Sequence, residues 1–279
     1  MEPVVTCSMS SLRAGEPLAG SAVAGRWRWL GLEYRPRWAA RGVEEAALPP
    51  AVRAFVDDFA ARPGHRVQLL RRPDRRDGPL EVQLADARDG TVRAGAVRTY
   101  EDLLSLDLDA LPPAGGPVVW VCTHGQRDHC CGTDGGRVFA AAHRALGDAA
   151  WQTSHLGGHR FAPTLLAWPQ GVCYGRVRPP EVEALADALR SGVIYRLDRV
   201  RGRVAWSRAA QAAEVALRTA LDDRASRVDL VDESPGRVVL RAFGRDRAVR
   251  VDTVALDAPV SPSCGKAPEA GTALVARVE

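Results

Sequence analysis

Lysine is almost absent from this chain of 279 residues: Lys266 stands alone, the other basic residues are all arginine, and Ile194 is the only isoleucine. Such a bias is what codon composition produces, and it marks no basic patch. A net charge of +4 over this length is too weak to point to nucleic acid. No apolar run approaches the roughly 20 residues needed to cross a bilayer, because arginine and aspartate interrupt every hydrophobic segment. The opening MEPVVTCSMS has neither the basic start nor the apolar stretch of a secretory leader. Six cysteines are few for a disulfide scaffold in a chain of this size. The expectation is a protein of the reducing cytoplasm, with no membrane and no nucleic acid, in which cysteine serves metal or redox chemistry.

Several catalytic signatures are missing as well. The chain has no P-loop, no GxGxxG, no C-x-x-C and no HExxH. A composition of 46% hydrophobic and 26% charged residues is close to the globular average, so disorder and coiled coil are excluded.

The pattern along the chain alternates strands and helices. A strand is expected over Arg26–Tyr34, a helix through Val52, Phe55, Val56 and Phe59, and strands over Arg66–Leu70 and Leu80–Ala85, flanking the charged stretch Arg71–Pro79. LPPAGG at 111–116 reads as a linker. After it come a buried strand at Pro117–Val121, a helix over Gly136–Leu146, a strand at Trp151–Ser154, a hairpin of Thr164–Trp168 with Val172–Arg176, and a helix from Pro179 to Gly192. The expected division is an N-terminal α/β region over 1–116, a compact β, α, β, β, β, α unit of thioredoxin-like type over 117–195, and an α+β extension over 196–279.

Two blocks carry chemistry, CTHGQRDHCC from Cys122 to Cys131 and SHLGGHRFAP from Ser154 to Pro163. Each follows an expected strand end. Two cysteines and two histidines, Cys122, Cys131, His155 and His159, can make a four-coordinate site for zinc or for an iron-sulfur cluster. The eight residues between Cys122 and Cys131 exceed the usual spacing of a structural zinc site, whereas the H-x-x-x-H pair matches zinc spacing. Gly157 and Gly158 favour a tight loop there over a helix.

With CTHGQRDHCCG followed by SHLGGHRFAPTLLAWPQGVCYGRV, and weaker similarity at GEPLAGSA, VQLLRRP and SCGK, the chain resembles the sucrase/ferredoxin-like family of thioredoxin-like ferredoxins. The resemblance implies an α/β fold and a 2Fe-2S cluster held by Cys122, Cys131, His155 and His159. It also implies one-electron transfer with an unidentified reductase and acceptor as partners. No paired carboxylates argue for glycoside hydrolysis. Neutral imidazoles in place of two thiolates would bring the formal charge of the oxidised cluster from minus two to zero. That change raises the potential and invites coupling of electron to proton uptake.

Two alternatives stay open, a zinc-binding structural module built on the same four ligands and a thiol oxidoreductase using Cys130 or Cys131. The remaining histidines, His65, His124, His129 and His143, read as structural or surface residues. Cys130 and Cys173 read as packing, and Cys7 and Cys264 as free thiols.

Overall fold

Alternating strand sequences build one large sheet. The computed structural model describes residues 6–74 and 77–279. In chain order the first elements are helix α1 (Cys7–Arg13), strand β1 (Arg28–Glu33), helix α2 (Pro50–Ala61), and strands β2 (His65–Arg71), β3 (Leu80–Asp86) and β4 (Thr91–Val97). Next come β5 (Val118–Cys122), α3 (His129–Leu146), β6 (Ala150–Thr153), β7 (Thr164–Trp168), β8 (Val172–Gly175), α4 (Val182–Arg190) and β9 (Val200–Arg203). Strands β1 to β9 form one nine-stranded mixed sheet in the order β4-β3-β1-β2-β6-β5-β7-β8-β9. The sheet is continuous across residue 116. Of the charged stretch Arg71–Pro79, residues 75 and 76 lie outside the described residues.

The thioredoxin-like unit is the β6-β5-β7-β8 part of this sheet. β5 and β6 run parallel and are joined by α3, while β7 and β8 return antiparallel. Because side chains alternate along a strand, β5 sends Val119 and Val121 to one face and Val118, Trp120 and Cys122 to the other. The first face packs under α3 and α4 through Val138, Phe139, Leu185 and Leu189. The second buries Trp29, Trp120 and Trp168, whose rings meet edge to face at centroid separations of 5.3–6.3 Å. Cys122 therefore sits at the rim of a water-excluding aromatic layer.

Helix α2 covers β1 and β2 with Val52, Val56 and Phe59. Past β9, helix α5 (Arg208–Leu221) starts at Ser207, whose hydroxyl accepts from the Ala210 amide. It lays Ala210, Ala213 and Leu217 on a separate four-stranded antiparallel sheet of β10 (Val228–Ser234), β11 (Arg237–Ala242), β12 (Arg245–Ala255) and β13 (Thr272–Val278). Among the described residues no helix is long and apolar enough to cross a membrane.

The largest departure from the sequence pattern is the start of α3, seven residues before the expected Gly136. Gly132, Gly135 and Gly136 lower intrinsic helix propensity, but packing overrides it. A Cβ built on Gly135 would lie 2.0 Å from the Cys122 carbonyl oxygen, and one on Gly132 would lie 2.7 Å from the Gly125 Cα. These glycines let the helix press against the end of β5. Strands β4 and β9 of the large sheet are also additional to the expected set.

Gly135→Ala should therefore destabilise the protein by about 1–3 kcal/mol, because backbone must move. Gly136→Ala, with open space around it, should be neutral or stabilising by up to about 1 kcal/mol. Thermal melts of the two variants side by side check this; equal stability would refute the packing account.

Candidate functional site

The parallel register decides where the two chemical blocks meet. Cys122 pairs with Thr153 at the last position of the β5–β6 ladder, so the loops that follow leave the sheet at the same edge. Asp128 caps α3 by accepting from the Cys130 amide at 2.9 Å, which puts Cys130 and Cys131 in the first helical turn. The positive end of the helix dipole thus faces the sulfurs.

Of the four residues expected to act together, three converge. The Cys122 and Cys131 sulfurs and His155 Nδ1 lie within 4.8 Å of one another. The imidazole nitrogen is 4.0 Å from Cys122 Sγ and 3.9 Å from Cys131 Sγ. Both cysteines are fully buried and His155 is half-buried. Hydrogen bonding from Cys131, with His155 beside it, holds the Cys122 thiol well below its ordinary pKa. Cys131 is pushed up by the same contact and by burial.

His159 stands beside this group, its ring 5.2 Å from that of His155. Its Nε2 donates to the Pro262 carbonyl at 2.5 Å, and its Nδ1 is buried with Asp128 Oδ2 3.7 Å away. A carbonyl that fixes one ring nitrogen as the proton carrier leaves the other as a lone-pair donor. Burial lowers the His159 pKa and keeps the ring neutral.

The three converged donors could hold a metal ion. A tetrahedral zinc with sulfur and nitrogen ligands spans about 3.6 Å between donors, less than either thiol-to-His155 distance, and His159 lies farther out still. The imidazole stands 3.9–4.0 Å from the two thiols, with the His159 ring beside them.

Supporting residues hold the loops. The His155 amide donates to His124 Nδ1 at 3.2 Å, and His124 Nε2 donates to the Ala39 carbonyl at 2.8 Å. The Arg66 guanidinium donates to the His155 carbonyl at 3.0 Å. Gly157 and Gly158 both take positive φ, and a Cβ on Gly158 would meet Arg201 Nη2 at 2.2 Å. Arg201, fully buried on β9, donates to the Gly157 carbonyl at 2.8 Å and to both the backbone and the hydroxyl of Ser21. Arg160 pairs with the buried Glu16 of the GEPLAG segment. Sequence reasoning passed over Arg201, Glu16 and Pro262, each of which reaches the site from a distant part of the chain.

Outside the converged group, His129 is exposed with Thr133 Oγ1 at 3.4 Å, and His143 stacks on Phe139. Cys173 is buried in β8 beside Arg201. Cys7 and Cys264 lie 3.6 Å apart and both adjoin Cys130, an arrangement that no spacing in the sequence announces. Next to His155 opens a cleft of about 570 Å³, bordered by Arg26, Arg41, Arg66 and Arg127 with Glu44 and Asp57.

Comparison with curated proteins finds "Altered inheritance of mitochondria protein 32" of Meyerozyma guilliermondii, 34% identical over 98 residues. The match covers 31% of this chain and 34% of that protein, so the chain spans about a third of the relative's length. No solved structure is significantly similar. The sucrase/ferredoxin-like family model matches residues 36–202, more than half of the 279, and takes in both chemical blocks and the strands that position them. The chain belongs to the sucrase/ferredoxin-like family.

Proposed function

We propose that the protein is a one-electron carrier that holds a 2Fe-2S cluster through Cys122, Cys131, His155 and His159. The observation that carries this reading is the convergence of a buried thiol couple with the His155 imidazole, with the His159 ring 5.2 Å away and its Nε2 proton held by the Pro262 carbonyl. A bound cluster would supply a centre that accepts and releases single electrons at a potential raised by its neutral ligands.

The residues around it do the rest. Trp29, Trp120 and Trp168 exclude water behind Cys122. The N-terminus of α3 and the Arg66 guanidinium bring positive charge to the thiolate side. Burial and the neighbouring Arg26 bring Arg66 down to about 10, still charged at neutral pH. His155 is the ligand that borders the cleft, and an acidic redox partner would approach across Arg26, Arg41 and Arg127. The zinc-module reading uses the same four residues, and the eight-residue spacing between Cys122 and Cys131 favours the cluster over it.

Freshly purified protein should be coloured, with iron and acid-labile sulfide in equal amounts. Cys122→Ser and Cys131→Ser should each abolish stable cluster binding, while Cys130→Ser should retain it. A colourless protein after anaerobic reconstitution, holding zinc at these four residues instead, would count decisively against the carrier.

His155→Cys or His159→Cys should lower the midpoint potential by on the order of 100 mV, because a thiolate adds negative charge where an imidazole was neutral. Redox titration followed by electron paramagnetic resonance measures it, and an unchanged potential with an intact cluster would remove that histidine from the ligand set.

A further inference from the structure

Four side chains from three distant segments meet on the far side of Asp128. Cys7 opens α1, Asp128 and Cys130 sit at the start of α3, and Cys264 lies in the segment between β12 and β13. The donor atoms all fall within 4.8 Å of one another. The sulfur separations are 3.7 Å for Cys7 and Cys130, 3.3 Å for Cys130 and Cys264, and 3.6 Å for Cys264 and Cys7. Asp128 Oδ1 is 3.6 Å from Cys7 Sγ and 3.3 Å from Cys264 Sγ. Three thiols and one carboxylate thus enclose a single point.

We propose that Cys7, Asp128, Cys130 and Cys264 form a second metal site, a mononuclear tetrahedral centre of the zinc type that staples α1 and the 256–271 segment to the head of α3. A zinc ion with thiolate ligands at about 2.3 Å and a carboxylate oxygen at about 2.1 Å requires donor separations of about 3.6–3.8 Å. Three of the five measured separations, at 3.6–3.7 Å, match that tetrahedron, and the two at 3.3 Å lie slightly inside it. They are tighter than the thiol-to-imidazole distances of the first site. Soft thiolates in a four-donor set select zinc over magnesium or calcium.

The surroundings are those of a coordination site. Asp128 is 5% exposed, and its two oxygens are oriented by the backbone amides of Cys130 and Cys264, each at 2.9 Å. Ser8 Oγ lies 3.2 Å from Cys130 Sγ. Three sulfurs cannot all be consumed by one disulfide, so pairing two would leave the third thiol and the carboxylate unused. Metal binding releases the thiol protons and uses all four donors.

The site has a consequence for its neighbour. Pro262, which accepts from His159 Nε2, lies two residues before Cys264. Holding Cys264 in place holds that carbonyl, so the staple acts as a positioning device for His159. The two sites also meet directly, with Asp128 Oδ2 3.7 Å from His159 Nδ1; the inference stands on its own donor geometry.

The test is zinc and iron analysis of reduced, full-length protein, together with cobalt substitution of the wild type. The wild type should bind about one zinc per chain, and cobalt should give the intense thiolate charge-transfer absorption of a tetrahedral site. Cys7→Ser and Cys264→Ser should lose the zinc, and Cys122→Ser should keep it. Cys264→Asp, which retains a donor, covers the case in which the serine variants fail to fold: it should still bind cobalt, with weaker thiolate absorption. Wild-type protein that takes up no zinc or cobalt after reduction overturns the proposal. So does zinc lost in Cys122→Ser but kept in Cys264→Ser, and so does a disulfide among Cys7, Cys130 and Cys264 in protein that binds no metal once reduced.

Discussion

The parallel pairing of β5 with β6 is the constraint on which the site depends. Parallel strands end at the same edge of a sheet, and the register that sets Cys122 against Thr153 makes the two following loops neighbours. Only then do residues 33 positions apart, Cys122 and His155, come within 4.0 Å. Helix α3 is the obligatory crossover of that parallel pair, so the residues at its first turn are delivered to the same edge. One topological choice therefore supplies a strand-end cysteine, a helix-start cysteine and a loop histidine.

The regions outside the thioredoxin-like unit complete the site. The N-terminal strands extend the sheet and contribute Trp29 to the aromatic layer behind Cys122. Arg66 from β2 ties down the His155 carbonyl, and Glu16 and Ser21 anchor Arg160 and Arg201 on either side of the histidine loop. Arg201 is a buried cation whose donors are met by carbonyls and a hydroxyl instead of a carboxylate. Its charge is therefore not cancelled locally and contributes to the field around the loop. From the other end of the chain, Pro262 fixes the tautomer of His159.

Much of this was legible in the sequence, and the reasons differ by element. β5 reads as buried because Val118–Cys122 is an unbroken apolar run, and α2 because Val52, Val56 and Phe59 recur at helical spacing. The two chemical blocks were legible because each follows such a strand. The early start of α3 was hidden because its glycines lower helix propensity, and their purpose, close approach to the Cys122 carbonyl, is a tertiary fact. The grouping of Cys7, Cys130 and Cys264 was hidden for a stronger reason. Its members lie up to 257 residues apart, so no local period or spacing links them. Strand β9 escaped notice because its inward residue is Arg201, which breaks the alternation that marks a strand.

The nine-stranded sheet is not uniformly knit. β1 and β2 are registered along six residue pairs from Arg28–His65 to Glu33–Leu70, whereas β2 meets β6 only at Leu70–Thr153 and Arg71–Gln152. This short seam joins the N-terminal half of the sheet to the half that carries Cys122, and the chain enters the histidine loop one residue beyond it. The seam is the shortest ladder of the sheet, and it is reinforced by the Ser154 amide donating to the Leu69 carbonyl at 2.9 Å and by Arg66 donating to the His155 carbonyl. The cleft lined by Arg66 from one half and His155 from the other lies across that line. The wall beside the histidine edge is therefore knit across that line more by side-chain contacts, such as Arg66 to the His155 carbonyl, than by strand ladder.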